Sequence, residues 1–201
     1  MAADIAGILL AAGAGSRLGQ PKALVDIGGQ PLADRGVALL RDGGAAPVIV
    51  VTGAIAVNLP GVITVHNPDW ETGMGSSLAV GLAMVPGQCS AAVVALVDQP
   101  LVAALAVRRL IEAHLAGAGV AVAAYGGRPR NPVLLARPHW PEVIALATGD
   151  TGARGFLRAR PELVTQIECG DTGSPDDIDT RDDLDRISGL LAARDPVMPQ
   201  E

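Results

Sequence analysis

Ile8-Leu9-Leu10-Ala11-Ala12-Gly13-Ala14-Gly15-Ser16-Arg17-Leu18-Gly19-Gln20-Pro21-Lys22-Ala23-Leu24 is the stretch that decides the reading of this chain. The apolar run from Ile5 to Ala12 has the make-up of a buried strand. It breaks into a glycine-rich loop that carries two cations, Arg17 and Lys22. Gly13, Gly15 and Gly19 let backbone N–H groups come close to a ligand and take up positive φ without a Cβ clash. Arg17 and Lys22 add charge where polyphosphate oxygens would sit. The pattern suits a loop that holds a nucleoside triphosphate through Leu10, Ala11, Ala12, Gly13, Ala14, Gly15, Ser16 and Lys22. Without its context, the same segment would be a strand-to-helix turn with incidental charges.

Neither of the two commoner glycine loops is present. A Walker loop needs Gly-x4-Gly-Lys-Ser/Thr, whereas Gly19 is followed by Gln20-Pro21-Lys22 and then Ala23. A dinucleotide fingerprint needs Gly-x-Gly-x-x-Gly, and the third position here is Leu18, one short of Gly19. Pro21 argues against an unbroken helix starting inside the loop.

The rest of the composition narrows the setting. With 201 residues the chain suits one domain with a sizeable core, expected over 1–194, with residues 195–201 as a disordered tail. Hydrophobic residues make up 49% and aromatics 2%, so the core must rest on many small aliphatic contacts. A net charge of −6 without any cationic run disfavours nucleic acid as a partner. An anionic ligand must therefore be met by local cations. Cys89 and Cys169 stand far apart, which gives neither a zinc spacing nor a disulfide framework. No basic segment with an apolar core opens the chain, and no apolar run reaches about 18 residues. The expectation is a cytoplasmic protein without membrane partners.

Apolar runs alternate with helical patterns throughout. That alternation predicts an α/β fold of three layers, Rossmann-like, with a mainly parallel sheet and helices on both faces. Strands are expected near 5–11, 46–52, 62–66, 91–97, 119–124, 132–136 and 163–168. Helices are expected near 31–42, 76–85, 101–116, 139–147, 152–160 and 180–193. Gly126-Gly127-Arg128-Pro129-Arg130 separates two strand-like runs and suggests a hairpin. Ligands of open α/β sheets sit at the carboxyl ends of strands. Gly13–Lys22, Asn67–Ser77 and Asp98-Gln99-Pro100 each follow such an end, so they can share one cleft.

Several residues in these segments carry two readings. Asp98 ends a buried run just before Pro100, which would start the next helix. It could cap that helix or hold Mg²⁺ while phosphates and waters complete the shell. Asp179, in Asp177-Ile178-Asp179-Thr180-Arg181-Asp182-Asp183-Leu184, could be a second ligand; alternatively Asp179 or Thr180 caps the last helix. Gly73 and Gly75 allow close backbone approach, while Ser76 and Ser77 offer hydroxyls and N–H groups at a helix start, where one of them would be the N-cap. Trp70 either shields a pocket or anchors its loop. Asp150 could be the N-cap of helix 152–160. His66, His114 and His139 are dispersed and read as surface or structural residues.

Leu-Ala-Ala-Gly-x-x-x-Arg-Leu-Gly-x-x-Lys resembles the signature loop of nucleotidyltransferases with the nucleotide-diphospho-sugar transferase fold. Among these it is most similar to the molybdenum cofactor cytidylyltransferase group, and the resemblance runs from about Ile5 to about Ile187. Asp98-Gln99-Pro100 looks like the family's metal-binding Asp-x-Pro, and Asp177 to Leu184 like its Asp-Ile-Asp-Thr-x-x-Asp-Leu, whose second Asp sits at the metal. The Gly-x-x-Ser-Ser segment at Gly73 borders nucleobase and ribose in such enzymes. Gly127-Arg128-Pro129-Arg130-Asn131-Pro132-Val133 and Gly149-Asp150-Thr151-Gly152-Ala153-Arg154 resemble segments that face the acceptor. Arg128, Arg130, Asn131, Asp150 and Arg154 are therefore expected on the acceptor, with the arginines clamping an anion. Many relatives place Gly-His or Gly-Asn where Arg130-Asn131 stands.

The resemblance implies Mg²⁺-dependent transfer of CMP from CTP to the molybdopterin form of the molybdenum cofactor, with release of pyrophosphate. Arg17, Lys22 and Asp98 would be the catalytic residues, and a molybdenum hydroxylase a partner. Ala12 stands where guanylyltransferase relatives tend to carry Gly, which points to CTP over GTP. Two rivals stay open. One is a nucleotidyltransferase for a sugar phosphate or phospholactate-like acceptor. The other is a non-catalytic carrier of the finished cofactor, which would have no need of a metal carboxylate. No flavin or nicotinamide motif is visible.

Overall fold

The computed structural model describes residues 4–57 and 59–194. The tail expected at 195–201 lies outside them.

Strand β1 (Asp4–Ala11) forms because its run from Ile5 to Ala11 carries no polar side chain and can bury both faces, and all but Asp4 are buried. It pairs in parallel with β4 (Val48–Thr52) on one side and β6 (Cys89–Leu96) on the other. A two-residue ladder between β2 (Asp26–Ile27) and β3 (Gln30–Pro31) precedes helix α1 (Leu32–Asp42). The main sheet is completed by β5 (Ile63–His66), β7 (Val120–Tyr125), β8 (Arg128–Ala136) and β9 (Val164–Glu168). Its order is β5-β4-β1-β6-β8-β7-β9. Only β8 runs against its neighbours, so the sheet is mainly parallel, as the alternating pattern predicts.

Alternate residues of β1 feed two cores. Ile5, Leu9 and Ala11 pack with α1, α3 (Ala104–Leu115) and Ile187 of α6 (Arg181–Arg194) on one face. Ala6, Ile8 and Leu10 pack with α2 (Met74–Ala83), α4 (Trp140–Leu146) and α5 (Arg154–Ala159) on the other. Three layers result.

The differences from expectation are local. Pro100 does not start a helix: residues 99–102 make a turn, closed by Val102 N–H to Gln99 C=O at 3.3 Å, and α3 begins at Ala104. The hairpin turn is only Gly126-Gly127, both at positive φ, because Arg128 and Pro129 already pair with Tyr125 and Ala124. The ladder then jumps from Ala123↔Arg130 to Val122↔Val133. Asn131 and Pro132 thus form a bulge, a device that re-aims side chains beside a site.

Candidate active site

The loop after β1 is held by its own backbone. Leu18 and Gly19 donate to the Gly15 carbonyl at 2.8 and 3.1 Å. Gly15 sits at φ 62°, and a Cβ there would run into the Gln20 carbonyl oxygen, so this glycine serves the turn itself. Gly13 and Gly19 face open space. Leu18 and Ala23 are buried and pin the loop to the core, while Arg17 stays exposed. Pro21 leads into a 3-10 turn, Lys22–Leu24, which aims Lys22 back across the loop.

Lys22 Nζ donates to Asp98 Oδ2 and to Asp179 Oδ1, both at 2.6 Å. Burial works against the Lys22 charge, but Asp98 and then Asp179 outweigh it and hold its pKa above the ordinary lysine value. Two backbone links create this meeting. Val97 N–H donates to Leu10 C=O at 3.1 Å, which keeps the end of β6 level with the end of β1. Ile178 N–H donates to Asp98 C=O at 2.9 Å, which lays the segment after β9 beside Asp98, with Ile178 fully buried. Asp179 is then the next residue to emerge.

The capping alternatives resolve. Asp98 lies five residues before the N-cap of α3, Ala103, and makes no cap. At α6, Asp183 N–H donates to Thr180 Oγ1 at 3.2 Å, and Asp183 Oδ2 accepts from Thr180 N–H at 2.9 Å. That reciprocal pair is a capping box with Thr180 as the cap. Asp179 is left to face Lys22.

Around α2 the expectation needs correction. The helix starts at Met74 with Gly73 as N-cap, so Ser76 and Ser77 sit inside the first turn and neither is the cap. Buried Asn67 donates to both hydroxyls, at 2.9 and 3.0 Å. Ser76 Oγ in turn reaches the Asp69 and Gly73 carbonyls, at 3.0 and 2.9 Å. These bonds fold the Asn67–Ser77 segment onto itself. Gly73 and Gly75 accept a neighbouring backbone as well: a Cβ on either would collide with residues 147–150. Asp150, carried by that neighbour, accepts from Met74 N–H at 3.4 Å and so faces the start of α2, while α5 begins at Arg154 without a side-chain cap. Trp70 both anchors and shields. It packs where a Cβ on Gly53 would be, and it lines the adjoining cavity.

A cavity of about 360 Å³ opens at the ends of β1 and β6 and is lined by Leu10, Ala12, Trp70, Ser77, Lys22 and Asp98, among others. A polar recess of about 290 Å³ beside it collects Gly15, Ser16, Arg17, Lys22 and Asp179. A second cavity of about 590 Å³ shares Leu96 with the first and holds Arg130, Asn131 and Arg154. Three expected acceptor residues are thus together. Arg128, on the strand end beside the hairpin turn, is outside this lining, and Asp150 lines the first cavity instead.

Sequence reasoning missed Glu71, Met74 and Val97 in the first cavity and Gln99, Arg158, Gln166 and Asp177 in the second. Gln99 stands in the quoted Asp-Gln-Pro, Asp177 in the quoted Asp-Ile-Asp, and Glu71 and Met74 in the Asn67–Ser77 segment, so their segments carried a signal; Arg158 and Gln166 had none. Gln99 is buried and donates to Asp177 Oδ1 at 2.7 Å and to Pro175 C=O at 3.0 Å. Burial, then the Asp98 charge, raise the Asp177 carboxyl above its ordinary range despite the Gln99 bond.

The carboxylates fit a divalent cation. Asp98 Oδ1 is buried and has no hydrogen-bond partner among the described residues. Asp98 and Asp179 converge on one point, now held by an ammonium. No group of three or more His, Cys, Asp or Glu side chains among the described residues could hold a metal. Two carboxylates that leave other positions to phosphate oxygens and water are what Mg²⁺ favours. The histidines lie elsewhere: His114 bonds the Ala118 carbonyl and Ser90, and His139 packs near Phe156.

Comparison with known proteins agrees with this architecture. Residues 7–164 match the model of the MobA-like NTP transferase domain. Nicotine blue oxidoreductase of Paenarthrobacter nicotinovorans is 38% identical over 197 residues, covering 91% of this chain and 96% of that protein. The crystal structure of the Mycobacterium tuberculosis rv0371c homolog from Mycobacterium sp. strain JC1 superposes with a TM-score of 0.84 at 31% identity, covering 95% and 98% of the two chains. Rv0371c of Mycobacterium tuberculosis H37Rv in complex with manganese gives 0.77 at 28% identity, covering 92% and 98%. The chain belongs to the MobA-like NTP transferase domain family and has its α/β nucleotidyltransferase fold. Among the described residues no helix is long and apolar enough to cross a membrane.

Proposed function

Starting from that family, we propose that this protein transfers CMP from CTP to the phosphate of a molybdopterin-type acceptor, with Mg²⁺ as the metal and pyrophosphate as the leaving group. The observation that carries the reading is the convergence of Lys22, Asp98 and Asp179 beside the polar loop recess. An acceptor phosphate oxygen attacks the α-phosphorus, the new P–O bond forms, and the bond to the β-phosphate oxygen breaks. The metal, when bound, neutralises charge on the phosphates. Asp98 and Asp179 hold it, Lys22 and Arg17 face the leaving pyrophosphate, and the loop amides orient it. Positioning and charge neutralisation supply most of the rate in such transfers.

CTP is favoured by Ala12, which is 9% exposed on the cavity wall where a larger purine would need space. A phosphorylated acceptor is favoured by Arg130 and Arg154 on the second cavity. That Leu96 lines both cavities, which makes them neighbours, supports transfer between them. The manganese complex of Rv0371c supports a divalent metal in this fold. A molybdenum hydroxylase is the proposed recipient of the product, in the cytoplasm. The test is a pyrophosphate-release assay with each nucleoside triphosphate, Mg²⁺, and either molybdopterin-type, sugar-phosphate or phospholactate-like acceptors. Release only with CTP and the pterin acceptor is expected. Release with another acceptor would reassign the substrate, and cofactor binding without release would favour a carrier.

One observation favours a second reading: the relative named nicotine blue oxidoreductase is similar over nearly the whole chain. A redox activity would consume a reductant such as reduced nicotinamide, and the same preparation assayed for its oxidation by absorbance separates the two chemistries.

A further inference from the structure

We propose that Asp150 reads the nucleobase, accepting a hydrogen bond from the exocyclic amino group of cytosine and thereby excluding uracil. This rests on the nucleotidyltransferase reading above and names a specificity residue that motif resemblance had placed on the acceptor.

The argument begins with charge. The nucleotide cavity has its cation, Lys22, beside Asp98, and the phosphate recess with Arg17 adjoins that end. Asp150 lines the same cavity, makes its side-chain bond to a backbone N–H, and forms no ion pair with a cation among the described residues. An unneutralised carboxylate repels a polyphosphate, so it must face the uncharged end of the nucleotide. The apolar lining of the cavity, Leu10, Ala12, Trp70 and Met74, suits the flat faces of a base. Ser77 adds a hydroxyl whose oxygen already accepts from Asn67, which leaves its proton to donate.

A long hydrogen bond orients the carboxylate: exposed Asp150 accepts from Met74 N–H, the first residue of α2, through Oδ1 at 3.4 Å, and Oδ2 is left for a ligand. The segment that carries it is seated by Gly73 and Gly75, where any Cβ would strike the 147–150 backbone, and by Gly152, where a Cβ would lie 2.9 Å from Met74 Sδ. The acceptor is therefore preset and not carried on a free loop. A carboxylate accepts and cannot donate, so it complements the N4 amino group of cytosine and opposes the O4 carbonyl of uracil.

The test is equilibrium binding of CTP and of UTP, each with Mg²⁺, to the full chain and to two variants, with thermal midpoints measured in parallel. Wild type should bind CTP at least about tenfold more tightly than UTP, the scale of one well-placed base contact. Asp150→Asn keeps an oxygen for the Met74 N–H but presents an amide that can donate to O4. It should weaken CTP, strengthen UTP and bring the ratio to unity or below. Asp150→Ala should weaken CTP alone. An unchanged ratio in both variants, a parallel loss of both nucleotides, or a wild type without preference overturns the proposal. A wild type that binds neither nucleotide overturns the choice of CTP in the proposed function and this inference with it, whereas binding of both without preference overturns this inference alone.

Discussion

Lys22 and Asp98 are 76 residues apart and meet at 2.6 Å, and the same ammonium meets Asp179 at the same distance. A single cation thus occupies the point on which both carboxylates converge. It stands where the proposed metal would be claimed, so the lysine and the metal are competitors as well as partners.

Lys22→Ala should therefore act in two directions. Loss of a desolvated charge at the leaving group should lower turnover more than tenfold, since such contacts contribute roughly 2–4 kcal/mol to the transition state. Removal of the competing ammonium should at the same time tighten binding of Mn²⁺ alone, measured by electron paramagnetic resonance without nucleotide. Near wild-type turnover would remove Lys22 from the chemistry, and unchanged Mn²⁺ affinity would deny the competition.

Asp98→Asn keeps the shape of the side chain and removes its charge. The structure separates Asp98 from the start of α3, so no helix cap is lost. Metal-dependent turnover should disappear while the thermal midpoint stays within a few degrees. Surviving activity would mean that Asp98 is not a ligand.

Gly75→Ala places a methyl group against the Ala147 carbonyl oxygen. The two backbones must part, at a cost of about 1–3 kcal/mol, and Asp150 must move with its segment. Denaturant unfolding should show the loss, and CTP affinity should fall with it. A variant as stable as wild type would show that residues 147–150 are not seated on α2 as described.

Part of the acid response of the fold should arise at the Gly126-Gly127 hairpin turn. Glu168 accepts from the N–H groups of Gly126, Gly127 and Gly170, at 3.0, 3.0 and 2.9 Å, and these bonds hold its pKa below the ordinary glutamate value. A depressed carboxylate stabilises fully above its unfolded value, about 4.3, and the contribution fades as pH falls through the lower folded value. Glu168→Gln should lower the urea midpoint at pH 7 and have a smaller effect at pH 3. Equal losses at both pH values would mean that the charge is not what binds the hairpin turn.

Much of this was legible in the sequence, for a physical reason. Runs such as Val48–Thr52 are buried on both faces, and that demand shows directly in composition. Strand ends then predicted where Gly13–Lys22, Asn67–Ser77 and Asp98 would gather. What could not be read was which backbone each polar residue would find. Thr180 caps α6 in place of Asp179, and Asp150 faces α2 in place of α5, because both outcomes depend on contacts between distant segments. Asn131 reaches the second cavity through a bulge that no local pattern announces, beside Arg130, which pairs with Ala123. Gly73 and Gly75 carried a visible signal, but the backbone they admit is another part of the chain.

The central claim is phosphorus transfer, and CTP labelled at the α-phosphorus tests it most directly. Incubated with the protein, Mg²⁺ and molybdopterin-type acceptor, the label should appear in the acceptor product with one equivalent of unlabelled pyrophosphate, and Asp98→Asn should abolish both. Label that stays in CTP while the acceptor is consumed, or transfer that persists without Asp98, would contradict the account.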